Sequence, residues 1–281
     1  MSAHRVFELC GEIQSWQCHN KASHGRQGGA ADAGGVSIGL NIVLPHEQTP
    51  NGYVTPELSF NFHYFGIRKM HFLMRASAIV VFPGGVGTAE EILYLLGVLL
   101  HPDNAEIPFP LIFTGPESAQ DYFRQIDQFI ADTLGAEVQK LYQIIVNDPV
   151  RVAQQVQAGI KAVRDFRKVR DDAYYFNWLL QIDAAFQKPF IPTHENMRNL
   201  ELHKHQDRHL LAANLRRLFS GVVAGNVKDE GIRAIEEFGN FEIRGQPGIL
   251  GPMDALLTSF VAQNRMKLPG KTYVPCYRIV R

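Results

Sequence analysis

The chain has 281 residues, 46% of them apolar and 20% charged, so it can bury a substantial core and is not a disordered polyelectrolyte. Its 28 Lys+Arg are balanced by 28 Asp+Glu, which removes the global basic footprint expected of a protein whose partner is nucleic acid or an acidic membrane surface. Three cysteines, Cys10, Cys18 and Cys276, make no disulfide framework and suit a reducing cytoplasm; no apolar run is long enough to span a bilayer, and Met1 to Gly35 holds no signal-peptide core.

In chain order, residues 1–33 are rich in Gly, Ala and His without periodicity. They read as a poorly ordered arm with a short helix near Val6–Trp16. Val36–Leu44 (VSIGLNIVL) is a buried strand closed by Pro45, and Leu58–Tyr64 (LSFNFHY) alternates as a second one. Phe65–Arg75 is helical. Ala78–Phe82 (AIVVF) is a short apolar strand that runs into Pro83-Gly84-Gly85-Val86-Gly87-Thr88, with a helix following from about Ala89 to Leu100. Pro110–Thr114 is a strand, Ser118–Leu134 an amphipathic helix and Tyr142–Val146 a strand. Asp148 and Pro149 then open a helix to about Arg167. This alternation predicts an α/β fold, a parallel sheet with helices on both faces. From Lys168 the rhythm changes to a mostly helical unit, with helices at Leu210–Phe219, near Gly231–Phe238 and at Met253–Lys267, a helix entry at Gly251-Pro252, and an extended Tyr273–Val280.

The strand, glycine-rich loop and helix around Gly84 form a unit with a mechanism. Glycines let the backbone approach a ligand closely, and the following helix aims its free N–H groups and positive dipole end at it. Gly84, Gly85, Val86, Gly87 and Thr88 therefore make a candidate phosphate cradle. The spacing is neither G-x-G-x-x-G nor G-x-x-x-x-G-K-[ST], which argues against a dinucleotide or triphosphate loop. Glu90 and Glu91 follow. Alone they would only complement the helix dipole; beside a bound sugar phosphate, a carboxylate can hold a ribose hydroxyl, orient water or stabilise an oxocarbenium ion. Arg68-Lys69 reads either as a solvated basic pair or as an anion clamp.

Other constellations have ordinary readings. His203, His205 and His209 form H-x-H-x-x-x-H, but interleaved Lys204 and Arg208 favour a solvated segment over a metal site. Tyr174, Tyr175, Phe176 and Trp178 read as packing where two units meet, with base stacking as the other option. Arg216-Arg217 and Lys228 read as a charged helix face, with a phosphate in a neighbouring subunit as the other option. The cysteines lack a neighbouring pattern that would mark a nucleophile.

Arg68-Lys69 followed by Pro83-Gly84-Gly85-Val86-Gly87-Thr88-Ala89-Glu90-Glu91 resembles the Lonely Guy family of nucleoside 5′-monophosphate phosphoribohydrolases, whose hallmark is P-G-G-x-G-T-x-x-E with an upstream Arg-Lys. Gly34 to Asn41 looks like that family's preceding strand. HENMRNLEL, FSGVVAGNVKDEGIRAIEEFG and FVAQNRMKLPGKTYVPCY resemble the C-terminal domain of the bacterial pyrimidine/purine nucleotide 5′-monophosphate nucleosidases.

The resemblance implies a Rossmann-like domain over residues 34–167, a nucleosidase C-terminal domain over 168–281, and hydrolysis of the N-glycosidic bond of nucleoside monophosphates with no metal or redox cofactor. It makes Arg68 and Glu91 the catalytic pair, puts Lys69 and Glu90 near substrate, and implies a dimer or tetramer. The family's first strands normally precede Gly34-Gly35, and residues 1–33 do not read as those strands. The expectation is a chain shortened at its N-terminus, with an open sheet edge and without the regulatory domain that binds guanosine alarmones in relatives. A non-catalytic nucleotide-binding remnant is the alternative. The label "lysine decarboxylase" attached to the family would require a Schiff-base lysine and pyridoxal phosphate, with Lys69 a candidate only by proximity.

Overall fold

The computed structural model describes residues 6–9, 39–42, 56–62, 65–266 and 273–280. A four-stranded parallel sheet is built from β1 (Val6–Leu9), β4 (Ala78–Val81), β5 (Leu111–Gly115) and β6 (Gln143–Val146), in the order β1-β4-β5-β6. Two further strands, β2 (Gly39–Ile42) and β3 (Ser59–Phe62), pair parallel with each other, and α1 (Phe65–Arg75) follows them. The α/β expectation stands, with one correction at the N-terminus. Val6–Leu9 is a strand in register with Ala78–Val81, where the sequence predicts a short helix in a loose arm. The Val-Phe-Glu-Leu run has β-forming residues, and an unpaired edge of β4 offers a ladder of donors and acceptors that local helix propensity cannot match. Cys10, Cys18, Gly34–Ile38 and the Gly/Ala/His-rich stretch lie outside the described residues.

Period-2 alternation sorts the central strands onto two faces. Ala78, Val80, Ile112 and Ile145 pack with Val156 and Ile160 of α4 (Pro149–Val169). Ile79, Val81, Leu111 and Phe113 join the larger core on the other side. There Phe113 stacks between Tyr142 and Phe123, with ring centroids 4.5 and 5.8 Å away. The larger core is covered by α2 (Val86–Leu99) and α3 (Gln120–Leu134). It continues without a break into α7 (Arg208–Val227) and α9 (Pro247–Ala262), so the C-terminal helices share the core of the sheet. The short helices α5 (Ala184–Gln187) and α6 (His194–Arg198) precede α7; α8 (Asp229–Phe238), β7 (Phe241–Ile243) and β8 (Tyr277–Ile279) complete the order.

Three helix boundaries differ from the sequence reading. α2 begins at Val86 rather than Ala89. α7 runs on through Gly221 and Gly225, which the sequence presents as breakers. The reason is packing: a Cβ on Gly221 would sit 2.3 Å from Met197 Sδ, and one on Gly225 would sit 2.8 Å from Cys276 Sγ. α9 starts at Pro247, whose missing N–H costs nothing at a first helical position, and Pro252 is carried inside it rather than marking its entry.

α2 and α7 are both buried nearly all round, and a glycine sets how close their neighbourhood packs. A Cβ on Gly97 would lie 2.1 Å from Phe186 Cζ and 3.3 Å from Ala212 Cβ, and Phe186 already meets Tyr94 edge-on at 5.4 Å. Gly97→Val is therefore expected to lower stability by about 1–3 kcal/mol through overpacking, read as a fall in the denaturation midpoint with the m-value unchanged.

Candidate active site

β4 is fully buried, and its carboxyl end passes through Pro83, Gly84 and Gly85 into α2. Gly85 is the N-cap and has no side chain to cap with. The first backbone bond back to it comes from Ala89 N, at 3.1 Å. The amides of Val86, Gly87 and Thr88 thus belong to the first helical turn, ahead of the intrahelical ladder. Thr88 is wholly buried, and its Oγ1 has no hydrogen-bond partner among the described residues. Uncapped amides, an orphaned buried hydroxyl and the positive end of a helix dipole together suit an oxyanion. With the helix starting three residues earlier than the sequence predicts, Val86, Gly87 and Thr88 are held in helical geometry.

The two acids of that first stretch each meet a base from α1. Arg68 Nη2 donates to Glu91 Oε1 at 3.0 Å, and Lys69 Nζ donates to Glu90 Oε1 at 2.8 Å. All four side chains are largely shielded from solvent, where ion pairs are screened far less than on a surface. Lys69 Nζ also lies 5.6 Å from the centre of the Tyr94 ring. Glu90 has a second cationic neighbour, Arg216, whose Nη1 is 3.7 Å from Glu90 Oε1. This corrects the reading of Arg216 as part of a charged helix face. It is buried because α7 is apolar nearly all round and lies along α2, which turns Arg216 toward Glu90 near the start of that helix.

Sequence reasoning also missed Arg265. The chain leaves α9 through Asn264, at φ 54°, and lays Arg265 against the glycine loop. Its Nη1 donates to Gly84 O at 3.3 Å, and its guanidinium carbon is 4.6 Å from the Tyr122 ring centre. Tyr122 is fully buried. Burial drives its phenol pKa well above the ordinary value; the Gly84 backbone and Arg265 oppose that rise, and Glu91 adds to it. The phenol therefore stays neutral beside the loop. Nothing in QNRMKLPG marks Arg265, since only the tertiary fold brings it to Gly84. Among the described residues near the loop, Arg68, Lys69, Arg216 and Arg265 outnumber Glu90 and Glu91, a positive bias that favours an anion.

The loop tolerates little. A Cβ on Gly85 would lie 2.4 Å from the backbone oxygen of Arg265. Gly85→Ala is expected to leave a folded protein whose affinity for ribose 5-phosphate falls at least about tenfold, as a displaced cradle loses a charge-assisted hydrogen bond of about 1.5–3 kcal/mol; equilibrium dialysis reads it directly.

The other candidates fall elsewhere. Tyr174, Tyr175 and Trp178 are exposed, at 61%, 54% and 72%, so they are not the packed cluster the sequence suggests. They sit in the irregular segment after α4, where Phe176 lies 4.8 Å from Arg75 and Asn177 donates to Leu73 O and Ala76 O. His209 does not gather with His203 and His205; its ring faces His101 instead. Cys276 is buried, and burial pushes its thiol up to about 12, which leaves it protonated and unreactive at neutral pH. Among the described residues no helix is long and apolar enough to cross a membrane.

Residues 25–156 match the family described as "Possible lysine decarboxylase", and residues 160–280 match "Pyrimidine/purine nucleotide monophosphate nucleosidase, C-terminal". The decarboxylase label names chemistry that needs a free lysine amine, whereas Lys69 Nζ is committed to Glu90. The chain is 53% identical over 208 residues to the pyrimidine/purine nucleotide 5′-monophosphate nucleosidase of Escherichia coli K12, and equally to those of strains O6:H1 and O157:H7. Each alignment covers 74% of this chain and 46% of the relative, so the chain spans about half the length of the curated relatives it matches. One match carries the glycine loop with its Arg-Lys and Glu-Glu pairs and the other carries the helices packed against them; over these two spans the chain is similar to Lonely Guy-type nucleosidases that carry a nucleosidase C-terminal domain.

Proposed function

We propose that this chain hydrolyses the N-glycosidic bond of nucleoside 5′-monophosphates, releasing a free base and ribose 5-phosphate. The observation that carries the reading is the Arg68–Glu91 pair beside the uncapped, glycine-lined N-terminus of α2. The cradle fixes the 5′-phosphate through the amides of residues 86–88 and the Thr88 hydroxyl, with Arg265 supplying charge. As the bond from C1′ to the base nitrogen breaks, positive charge grows on the ribose ring, and Glu91 stabilises it. Water adds its oxygen to C1′ and one of its protons goes to the departing base. Arg68 holds the Glu91 carboxylate in place and stands on the substrate side as the catalytic partner. Lys69 and Glu90 line the same pocket and set its charge.

In this reading residues 34–167 are the catalytic unit and 168–281 the nucleosidase C-terminal unit. The protein acts in the cytoplasm and self-associates as a dimer or tetramer. The test is release of free base from AMP, GMP, CMP and UMP by the purified chain, with ribose 5-phosphate measured as the co-product. Equimolar appearance of both supports the proposal. Tight ribose 5-phosphate binding with no release from any of the four would replace it with a non-catalytic nucleotide-binding role.

A further inference from the structure

The residue that left the H-x-H-x-x-x-H triplet has found other company. His101 follows α2 and caps the turn Pro102–Asn104; Asp183 caps α5; His209 lies in the first turn of α7. One ligand atom from each of these three side chains lies within 4.8 Å of the other two. The two imidazoles meet at a tilt, with centroids 5.2 Å apart and planes at 63°. None of the three side chains is hydrogen-bonded to another of them. His101 Nδ1 accepts from Asp103 N at 3.3 Å, one Asp183 carboxylate oxygen accepts from Ala185 N at 2.7 Å, and His209 is buried. Their convergence is therefore not explained by pairing among themselves.

We propose that His101, Asp183 and His209 form a binding site for a divalent cation of the zinc class. Two imidazoles and a carboxylate are a zinc donor set, and three protein ligands leave a fourth position for water. Tetrahedral zinc places its ligand atoms about 3.3 Å apart, so the cluster closes by about 1.5 Å, a change within reach of side-chain torsions. The backbone is already fixed at the needed spacing. Asn104 donates to both Val98 O and Gln181 O at 2.7 Å and accepts from Gln181 N at 2.8 Å, which ties the His101 turn to the Asp183 segment.

The free Asp183 oxygen serves the metal while the other keeps its cap. Ligation through His101 Nε2 puts the ring proton on Nδ1, which gives up the bond it accepts from Asp103 N and donates instead to the Asp103 carboxylate, 3.9 Å away, a partner that makes the imidazole a better ligand. Arg217 is near enough to Asp183 to feel its charge, and the bound cation shares that carboxylate with it. The site stands at the end of α2 opposite the glycine loop, about 20 Å away along 14 residues at roughly 1.5 Å each. It clamps α2 to α5 and α7 and takes no part in the chemistry at Glu91.

The experiment uses the full chain, stripped with a chelator, exchanged into metal-free buffer and titrated with zinc chloride against a chromophoric competitor. The expected result is one equivalent bound with sub-micromolar affinity, a rise of several degrees in Tm, and base release unchanged within twofold. Asp183→Asn keeps the helix cap and removes the anionic ligand. It and His209→Ala should each weaken zinc at least tenfold, whereas His203→Ala and His205→Ala should not. Absence of a stoichiometric site would overturn the proposal. So would zinc uptake that Asp183→Asn and His209→Ala leave unaltered, because the ion would then be bound elsewhere.

Discussion

Glu91→Gln is expected to slow base release by about 10²–10⁴-fold, or about 2.7–5.5 kcal/mol of barrier, while KM for the nucleotide changes little. The amide is isosteric and can still accept from Arg68, so geometry is kept and the charge alone is removed. That charge matters because of where it stands. Glu91 is buried on the second turn of α2, 3.0 Å from Arg68, near the end of the helix proposed to hold the phosphate. A carboxylate in a shielded, preorganised site stabilises a developing oxocarbenium ion far better than one in water, and it does so only in the transition state. The fall should therefore appear in kcat and kcat/KM together. Arg68→Met should follow the same pattern, since it leaves Glu91 without the donor that orients it. If Glu91→Gln turned over at the wild-type rate with the fold intact by circular dichroism, the carboxylate would have no part in bond cleavage.

Much of this site was legible in the sequence, and the part that was not has a physical explanation. The apolar run Ala78–Phe82 followed by two glycines fixes a strand, a turn and a helix in that order, because few other arrangements bury such a strand and release its chain so abruptly. Arg68, Lys69, Glu90 and Glu91 were recognisable as chemistry-bearing types. That they close as two parallel pairs is a property of α1 lying against the second turn of α2.

The start of α2 was not legible, since Val86 and Gly87 are poor helix formers and it is the burial of Val86 and Thr88 on either side that commits this turn to the helix. Nor was the length of α7. Gly221 and Gly225 look like breakers until Met197 and Cys276 occupy the space where their side chains would be. Arg216 and Arg265 sit among unremarkable neighbours in sequence. They reach the cradle only because the core of the sheet continues into the C-terminal helices. The same long-range assembly hid the meeting of His101, Asp183 and His209, and it leaves Tyr174, Tyr175 and Trp178 on the surface although their composition suggests a core.

Glu90 should prove a structural residue of the largest kind. Glu90→Ala is expected to lower stability by about 3–5 kcal/mol, because it removes the carboxylate that two buried cations share. Lys69 and Arg216 are both buried, and Glu90 is the carboxylate they share, at 2.8 and 3.7 Å. Removing one member of a buried ionic group leaves the desolvation penalty of the others uncompensated, whereas removing matched partners together can be nearly neutral. Lys69→Met combined with Glu90→Ala should therefore recover part of the loss. The remainder measures Arg216, which keeps its contact to Ala185 O at 3.3 Å but loses its counter-charge.

Chemical denaturation of the four proteins, wild type, two singles and the double, gives the coupling directly. A Glu90→Ala protein within about 1 kcal/mol of wild type would mean the triad is hydrated and surface-like in its energetics. The expected large loss would separate the adjacent acids by kind of effect, Glu91 by rate and Glu90 by stability. It would also explain why α7 must be in place for the cradle to hold its shape: Arg216 completes the charge balance of the turn that carries Glu91.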